Sequence, residues 1–226
     1  MTFSLVAHDR VTGAFGMVVT SSSPAVAARC AHLRSGVGGA ASQNVTNPTL
    51  GALMLDRLEA GASADEAMAA ATAADPDIEH RQLTVVDGAG RTAAYSGSGT
   101  LGTHAVALGT DAVAAGNLLT TPKVVDAMLA GFEQCDGPAF EDRLLAALVA
   151  GRDAGGEEGP EHSCGLVVSD PRARWLVTDL RVDWRDDDPI GELARLWELW
   201  RLQKEDYLKR ALAPGSAPSY GVPGDL

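Results

Sequence analysis

Cysteine is scarce. Cys30, Cys135 and Cys164 are far apart and odd in number, with no zinc-ligand spacing and no disulfide framework. Three reduced thiols suit a cytoplasmic protein. Aromatic residues make up only 5% of the chain, so alanine, glycine and aliphatic side chains must fill its core. No uninterrupted apolar run has the length of a membrane-spanning helix, and no basic-then-apolar signal segment opens the chain. Positive charge is in deficit: 18 Lys and Arg against 30 Asp and Glu give −12, which argues against nucleic acid or an anionic membrane as partner. The five histidines (His8, His32, His80, His104, His162) make no paired ligand spacing, so neither a metal nor a cofactor is expected. A G-x-S-x-G elbow is missing too. Ser163-Cys164 follow His162, but neighbours in a strand point to opposite faces, and Cys164 reads as a core thiol.

What is present begins at once. Phe3, Leu5 and Ala7 alternate with Ser4, Val6 and His8, the two-residue period of a strand. His8 to Gly13 is turn chemistry, and Met17-Val18-Val19 reads as a second strand covered on both faces. Removal of Met1 would leave a threonine at a strand tip. A terminal threonine carries a hydroxyl nucleophile beside an α-amine whose pKa of roughly 8 suits it as a base. The plainer reading makes Thr2 an ordinary β-branched residue opening a strand.

The rest of the chain, at 226 residues, suits one domain with an appendage. Gly36 to Ala41 reads as extended, with small residues that permit close packing or close approach of a ligand. Helices are expected from Thr49 to Ala60 and, after a Ser63–Glu66 capping box, through Ala67 to Ala74. His80 to Val86 and Arg91 to Ser96 form a hairpin around Asp87-Gly88-Ala89-Gly90. Short strands follow at His104 to Leu108 and Ala112 to Ala115. Helices from Thr121 to Phe132 and from about Pro138 to Arg152 lead to strands at Cys164 to Val168 and Trp175 to Asp179. One long helix is expected from Pro189 to Leu212, carrying Trp197, Trp200 and Tyr207, either packed on its own domain or forming a homo-oligomer contact. Ala213 to Leu226 reads as an irregular tail. Periodicity thus gives a mixed α+β domain over residues 1–185, followed by a helical extension over 186–226.

The opening hairpin, Gly36-Val37-Gly38-Gly39-Ala40 with Gln43, Thr46-Asn47-Pro48, Glu79-His80-Arg81-Gln82, Ser96-Gly97, Gly116-Asn117-Leu118-Leu119 and Ser163 together resemble a bacterial family. It is the Ntn-hydrolase-like family known as domain of unknown function 1028. The resemblance spans most of Thr2 to Asp179 and implies a four-layer αββα sandwich of the N-terminal-nucleophile (Ntn) hydrolase type. It implies an amidohydrolase that cleaves a C–N amide bond of a small polar substrate through Thr2. The alternative is a non-catalytic ligand-binding or oligomeric module on the same fold. Ser22, Asn44 or Asn117 would position the amine or the oxyanion, although Asn117 also suits a turn. His80 and Arg81 suit a substrate carboxylate or a strand edge. Threonine-type members carry a lysine near the nucleophile, whereas here lysine first appears at Lys123 and the nearest early cation is Arg34, which cannot act as a base.

Overall fold

The computed structural model describes residues 1–222. Ten strands form two antiparallel sheets. The strands are β1 (Thr2–Asp9), β2 (Ala14–Ser21), β3 (Ala31–Arg34), β4 (Gly38–Asn44), β5 (Arg81–Asp87), β6 (Thr92–Ser96), β7 (Ala105–Leu108), β8 (Ala112–Asn117), β9 (Ser163–Ser169) and β10 (Leu176–Val182). The six-stranded sheet has the order β10-β9-β2-β1-β8-β7, and the four-stranded sheet has β3-β4-β5-β6. Seven α-helices accompany them: α1 (Val26–Cys30), α2 (Pro48–Glu59), α3 (Ala64–Ala74), α4 (Lys123–Gln134), α5 (Phe140–Asp153), α6 (Pro189–Trp200) and α7 (Lys204–Leu212).

Period-two alternation in β1 sorts its side chains into two layers. Phe3, Leu5 and Ala7 join Met128, Phe132, Leu144 and Leu148 in an apolar layer under α4 and α5. Val6 points the other way and meets Phe15, Met17, Val19, Ala41, Val86 and Val113 between the two sheets. A third apolar layer lies between the four-stranded sheet and α2 and α3, around Met54, Ala67, Leu83 and Val85. The order of layers is therefore helices, sheet, sheet, helices. Few aromatics are needed, because small residues let these layers approach closely. A Cβ built on Gly39 would lie 2.7 Å from Val6 Cγ1 and 2.8 Å from Leu33 Cδ2.

The capping box is formed: the Ser63 hydroxyl accepts from Glu66 N, and the Glu66 carboxylate accepts from Ser63 N. Asn47 caps α2 in the same way through Thr49 N.

The C-terminal segment differs from the sequence reading. The expected single helix from Pro189 to Leu212 is two helices, α6 and α7, broken at Arg201–Gln203. Apolar spacing runs on through the break, but tertiary contacts on either side override it. Trp200 Nε1 donates to Val177 O at 3.1 Å, Arg201 pairs with Asp142 at 2.9 Å, and Lys204 Nζ pairs with the buried Glu141 carboxylate at 2.8 Å. Trp197 is buried on its own chain and donates to Asp142 Oδ1 at 2.7 Å. Leu193, Trp197 and Leu208 all join the layer under α4 and α5. In the tail, Pro214–Ser216 form a short 3-10 turn, and residues 223–226 lie outside the described residues. No helix among the described residues is long and apolar enough to cross a membrane.

Because Gly39 holds the sheets at close range, Gly39→Ala is expected to lower stability by about 1–3 kcal/mol through overpacking. Urea unfolding followed by circular dichroism measures this directly, and an unchanged midpoint would show that the inter-sheet layer relaxes freely.

Candidate functional site

β1 lies at the middle of its sheet, between β2 and β8. Its register sets Thr2 opposite Ser21 on one side and Asn117 on the other. Residues directly paired across strands project to the same face, so Ser21, Thr2 and Asn117 form one row facing the second sheet. Ser163 extends the row, because β9 pairs it with Ser21. On the facing sheet, β4, β5 and β6 align Gln43, Gln82 and Ser96 in a matching row. The inter-sheet layer is thus apolar along most of its length and polar at the end where β1 begins.

Hydrogen bonds join the two rows. Gln82 is completely buried, and its Oε1 accepts from Gln43 Nε2 at 2.9 Å and Asn117 Nδ2 at 3.1 Å. Its Nε2 donates to Gly116 O at 3.0 Å and Ser96 Oγ at 3.1 Å. Ser4 Oγ donates to Gln43 Oε1 at 2.7 Å. Thr2, only 6% exposed, donates its hydroxyl to Met1 O at 2.5 Å and lies 3.3 Å from Ser21 Oγ. Ser21 Oγ also reaches Met1 O at 2.5 Å and Ser23 Oγ at 2.7 Å. The Arg29 guanidinium donates to the Ser23 hydroxyl. Arg29 is therefore the cation joined to this hydroxyl row. Arg34 is held on the surface by Asp56 at 2.8 Å and Glu59 at 2.6 Å.

A carboxyl group completes the cluster. Glu157 is 4% exposed and accepts from Ser22 N at 3.1 Å through Oε2. Its Oε1 is buried with no hydrogen-bond partner among the described residues. Burial pushes its pKa up to about 8, against the opposing pull of the chain's own positive α-amine; Glu161 adds to the rise and Ser22 counters it.

The residues singled out in the sequence fall into two groups. Thr2 and Asn117 sit side by side in the buried row, and Ser22 lies one residue beyond it as the donor to Glu157. Asn44, His80 and Arg81 hold a different structure, where the paired inner strands β4 and β5 of the four-stranded sheet end and begin. Asn44 Nδ2 donates to His80 O at 2.7 Å, and Arg81 bridges the Asp75 carboxylate at 3.0 Å and Val45 O at 2.8 Å. Asn44 adopts a left-handed conformation with φ 69°, a position asparagine tolerates better than most residues. Sequence reasoning missed Ser21, Gln82, Arg29 and Glu157 as members of the cluster. The polar side chains of Ser21 and Gln82 at otherwise apolar strand positions were the available signal, whereas Glu157 lies between α5 and β9, outside every expected helix and strand. Cys164 is buried and donates to Pro189 O at 3.1 Å, and burial raises its thiol pKa, as suits a core position. Among the described residues no group of three His, Cys, Asp or Glu side chains is placed to hold a metal ion.

Fold and site together define an antiparallel α+β protein whose first strand begins inside a buried row of hydroxyls and amides. Residues 2–193 match the "Family of unknown function (DUF1028)", and the chain belongs to that family. A crystal structure of protein SPO2555 from Silicibacter pomeroyi, described with the same family, is 31% identical, with a TM-score of 0.85 over 92% of this chain and 94% of its own. Anbu (ancestral beta-subunit) from Yersinia bercovieri is 10% identical over 90% of this chain and 96% of its own. Its TM-score of 0.43 is too low to define a shared fold. No protein of curated function matches.

Two outcomes follow from the buried cluster. Gln82→Leu leaves the Gln43 and Asn117 amide donors without their shared acceptor, and stability is expected to fall by about 3 kcal/mol. Equilibrium denaturation measures it; a loss under about 1 kcal/mol would mean that other acceptors compensate. The second outcome concerns pH. Glu157 ionises near 4.5 in its ordinary state but only near 8 in the fold. Between those values the folded chain binds more protons than the unfolded chain, so this group's contribution to stability declines as pH rises. Glu157→Gln cannot ionise, so its melting temperature relative to the unsubstituted protein is expected to rise between about pH 5 and pH 8.5. A pH-independent difference would refute the raised carboxyl.

Proposed function

We propose that the protein is an Ntn-type amidohydrolase, on an αββα sandwich of that class, which cleaves the C–N bond of a small polar amide with Thr2 after Met1 is removed. The observation that carries this reading is the position of Thr2: buried, at the tip of a central strand, between Ser21 and Asn117. With Met1 gone, the α-amine of Thr2 takes the hydroxyl proton as the oxygen attacks the substrate carbonyl carbon. The carbonyl π pair moves to oxygen. The Asn117 amide is a donor for that oxyanion, since its nitrogen carries two hydrogens and Gln82 takes one. Collapse expels the amine product, which receives the proton from the Thr2 ammonium. Water, deprotonated by the same amine, then hydrolyses the ester. No lysine precedes Lys123, so this scheme rests on the α-amine as base. The protein is proposed to act in the cytoplasm, without cofactor, and as a homo-oligomer through its C-terminal helices.

A second reading, a non-catalytic ligand-binding module, is favoured by one observation. The polar row is already satisfied internally: Thr2 bonds Met1 O, and the Gln82 amide is fully engaged.

Intact-mass measurement should find a chain that begins at Thr2. On an amide hydrolysed in a panel of small polar amides, Thr2→Ala is expected to lower kcat/KM by about 10³-fold or more, with the fold intact. Thr2→Ser should retain measurable turnover. Activity should rise through about pH 7–8, where a terminal amine loses its proton. Normal turnover by the Thr2→Ala protein would remove Thr2 from the chemistry. Binding of an amide without turnover would favour the second reading.

A further inference from the structure

β2 and β8 end level with the start of β1, at Ser21 and Asn117, and from there the chain runs on beyond it as Ser22 on one side and Leu118–Leu119 on the other. The slot between them, in line with β1, is occupied by the segment around Glu157. Leu119 and Glu157 form an antiparallel bridge, with Thr120 N donating to Gly156 O at 3.1 Å and Glu158 N to Leu118 O at 2.9 Å. From the other side Ser22 N reaches the Glu157 carboxylate. The same segment touches the start of β1. A Cβ on Gly156 would lie 3.6 Å from the Phe3 ring, and one on Gly159 would lie 2.9 Å from Met1 Cε. The segment that carries Glu157 therefore borders the N-terminal end of the strand, and the Glu157 carboxyl feels the charge of the Met1 α-amine there.

We propose that Glu157 is the positioning residue for the Thr2 α-amine: its carboxylate receives the amine exposed by removal of Met1 and orients it toward the Thr2 hydroxyl. This rests on the reading of Thr2 as a terminal nucleophile and deepens it. Oε2 is fixed by Ser22 N, while Oε1 is buried without a partner among the described residues, so one oxygen is held and the other is open. An amine has hydrogens to donate there, and when it takes the Thr2 hydroxyl proton, the ammonium gains a carboxylate as counter-charge. A buried carboxyl of this kind is costly unless it is paired, and the site has an obvious use for the pair. With Met1 in place, the charges that act on Glu157 are the Met1 α-amine, which stabilises its ionised form, and Glu161, which opposes it. No lysine precedes Lys123 to supply a charge partner from the front half of the chain.

The test uses the full chain released from an N-terminal fusion by a protease that leaves Thr2 first, so that it does not depend on natural methionine removal. Nitrogen NMR of threonine-labelled protein reads the Thr2 amine pKa directly. Glu157→Gln preserves the side-chain shape and an acceptor for Ser22 N. It should lower the amine pKa by about one unit or more, because the anion that favours the ammonium is lost. The acid limb of the activity profile should shift down by the same amount. Glu157→Asp, which retains the charge, should restore part of the difference. If Glu157→Gln does not fold, the reciprocal measurement decides. Acetylating the Thr2 amine in the unsubstituted chain should raise the Glu157 carboxyl pKa, read by carbon NMR, by about one unit or more. An amine pKa, or in the reciprocal case a carboxyl pKa, that stays where it was would overturn the role of Glu157. Turnover that depends on Thr2, together with an unmoved amine, would discard Glu157 and keep the nucleophile. A shifted amine in a protein that hydrolyses no amide would keep the Glu157 contact and discard the nucleophile.

Discussion

The carboxamide of Gln82 ties the two sheets together where the candidate site is built. Its oxygen accepts from one side chain on its own sheet, Gln43, and one on the other sheet, Asn117. Its nitrogen donates to Ser96 beside it and to the backbone of Gly116 opposite. A fully buried amide is costly when any of its bonds is missing and specific when all are made. The apolar layer between the sheets supplies most of the adhesion but little register, since aliphatic contacts tolerate sliding. The Gln82 network adds direction, and it places Asn117 beside Thr2.

The polar end of the inter-sheet layer is unusual for what it buries. Thr2, Ser4, Ser21, Gln43, Gln82, Asn117, Glu157 and Ser163 are all under one-tenth exposed. Stability alone would favour aliphatic side chains at several of these places, as it does one turn of the pleat further along, at Val6, Val19 and Val113. Buried polar networks of this kind concentrate at sites where chemistry or binding is needed. The ion pairs of Arg34 with Asp56 and Glu59 belong to the outside of the fold, whereas the Arg81–Asp75 pair is largely buried beside the start of β5.

Much of the architecture was legible in the chain. Alternation in Thr2 to Ala7, the Asp87-Gly88-Ala89-Gly90 turn and the Ser63–Glu66 capping box are local signals, and local signals survive folding because they depend on neighbours only a few residues away. The break between α6 and α7 was not legible. Trp197, Trp200 and Tyr207 keep an apolar face across it, while the anchors that split the helix, Val177, Asp142 and Glu141, come from distant elements. Within the site, Thr2, Ser22, Asn44 and Asn117 stood out by residue type, and His80 and Arg81 could equally have served a substrate carboxylate or a strand edge; the hydrogen bonds of Asn44 and Arg81 join the ends of β4 and β5 to His80 O, Asp75 and Val45 O.

By itself the sequence determined an α+β chain with a strand from Thr2 onward and a threonine hydroxyl at the tip of that strand. Tertiary structure decided what surrounds that hydroxyl. Ser21 is 19 residues from Thr2, Asn117 lies 35 from Gln82, and Glu157 lies 135 from Ser22. Those meetings depend on strand register and on two sheets facing one another. Register is set by the sum of many weak contacts over the whole core, so no short stretch of sequence carries it.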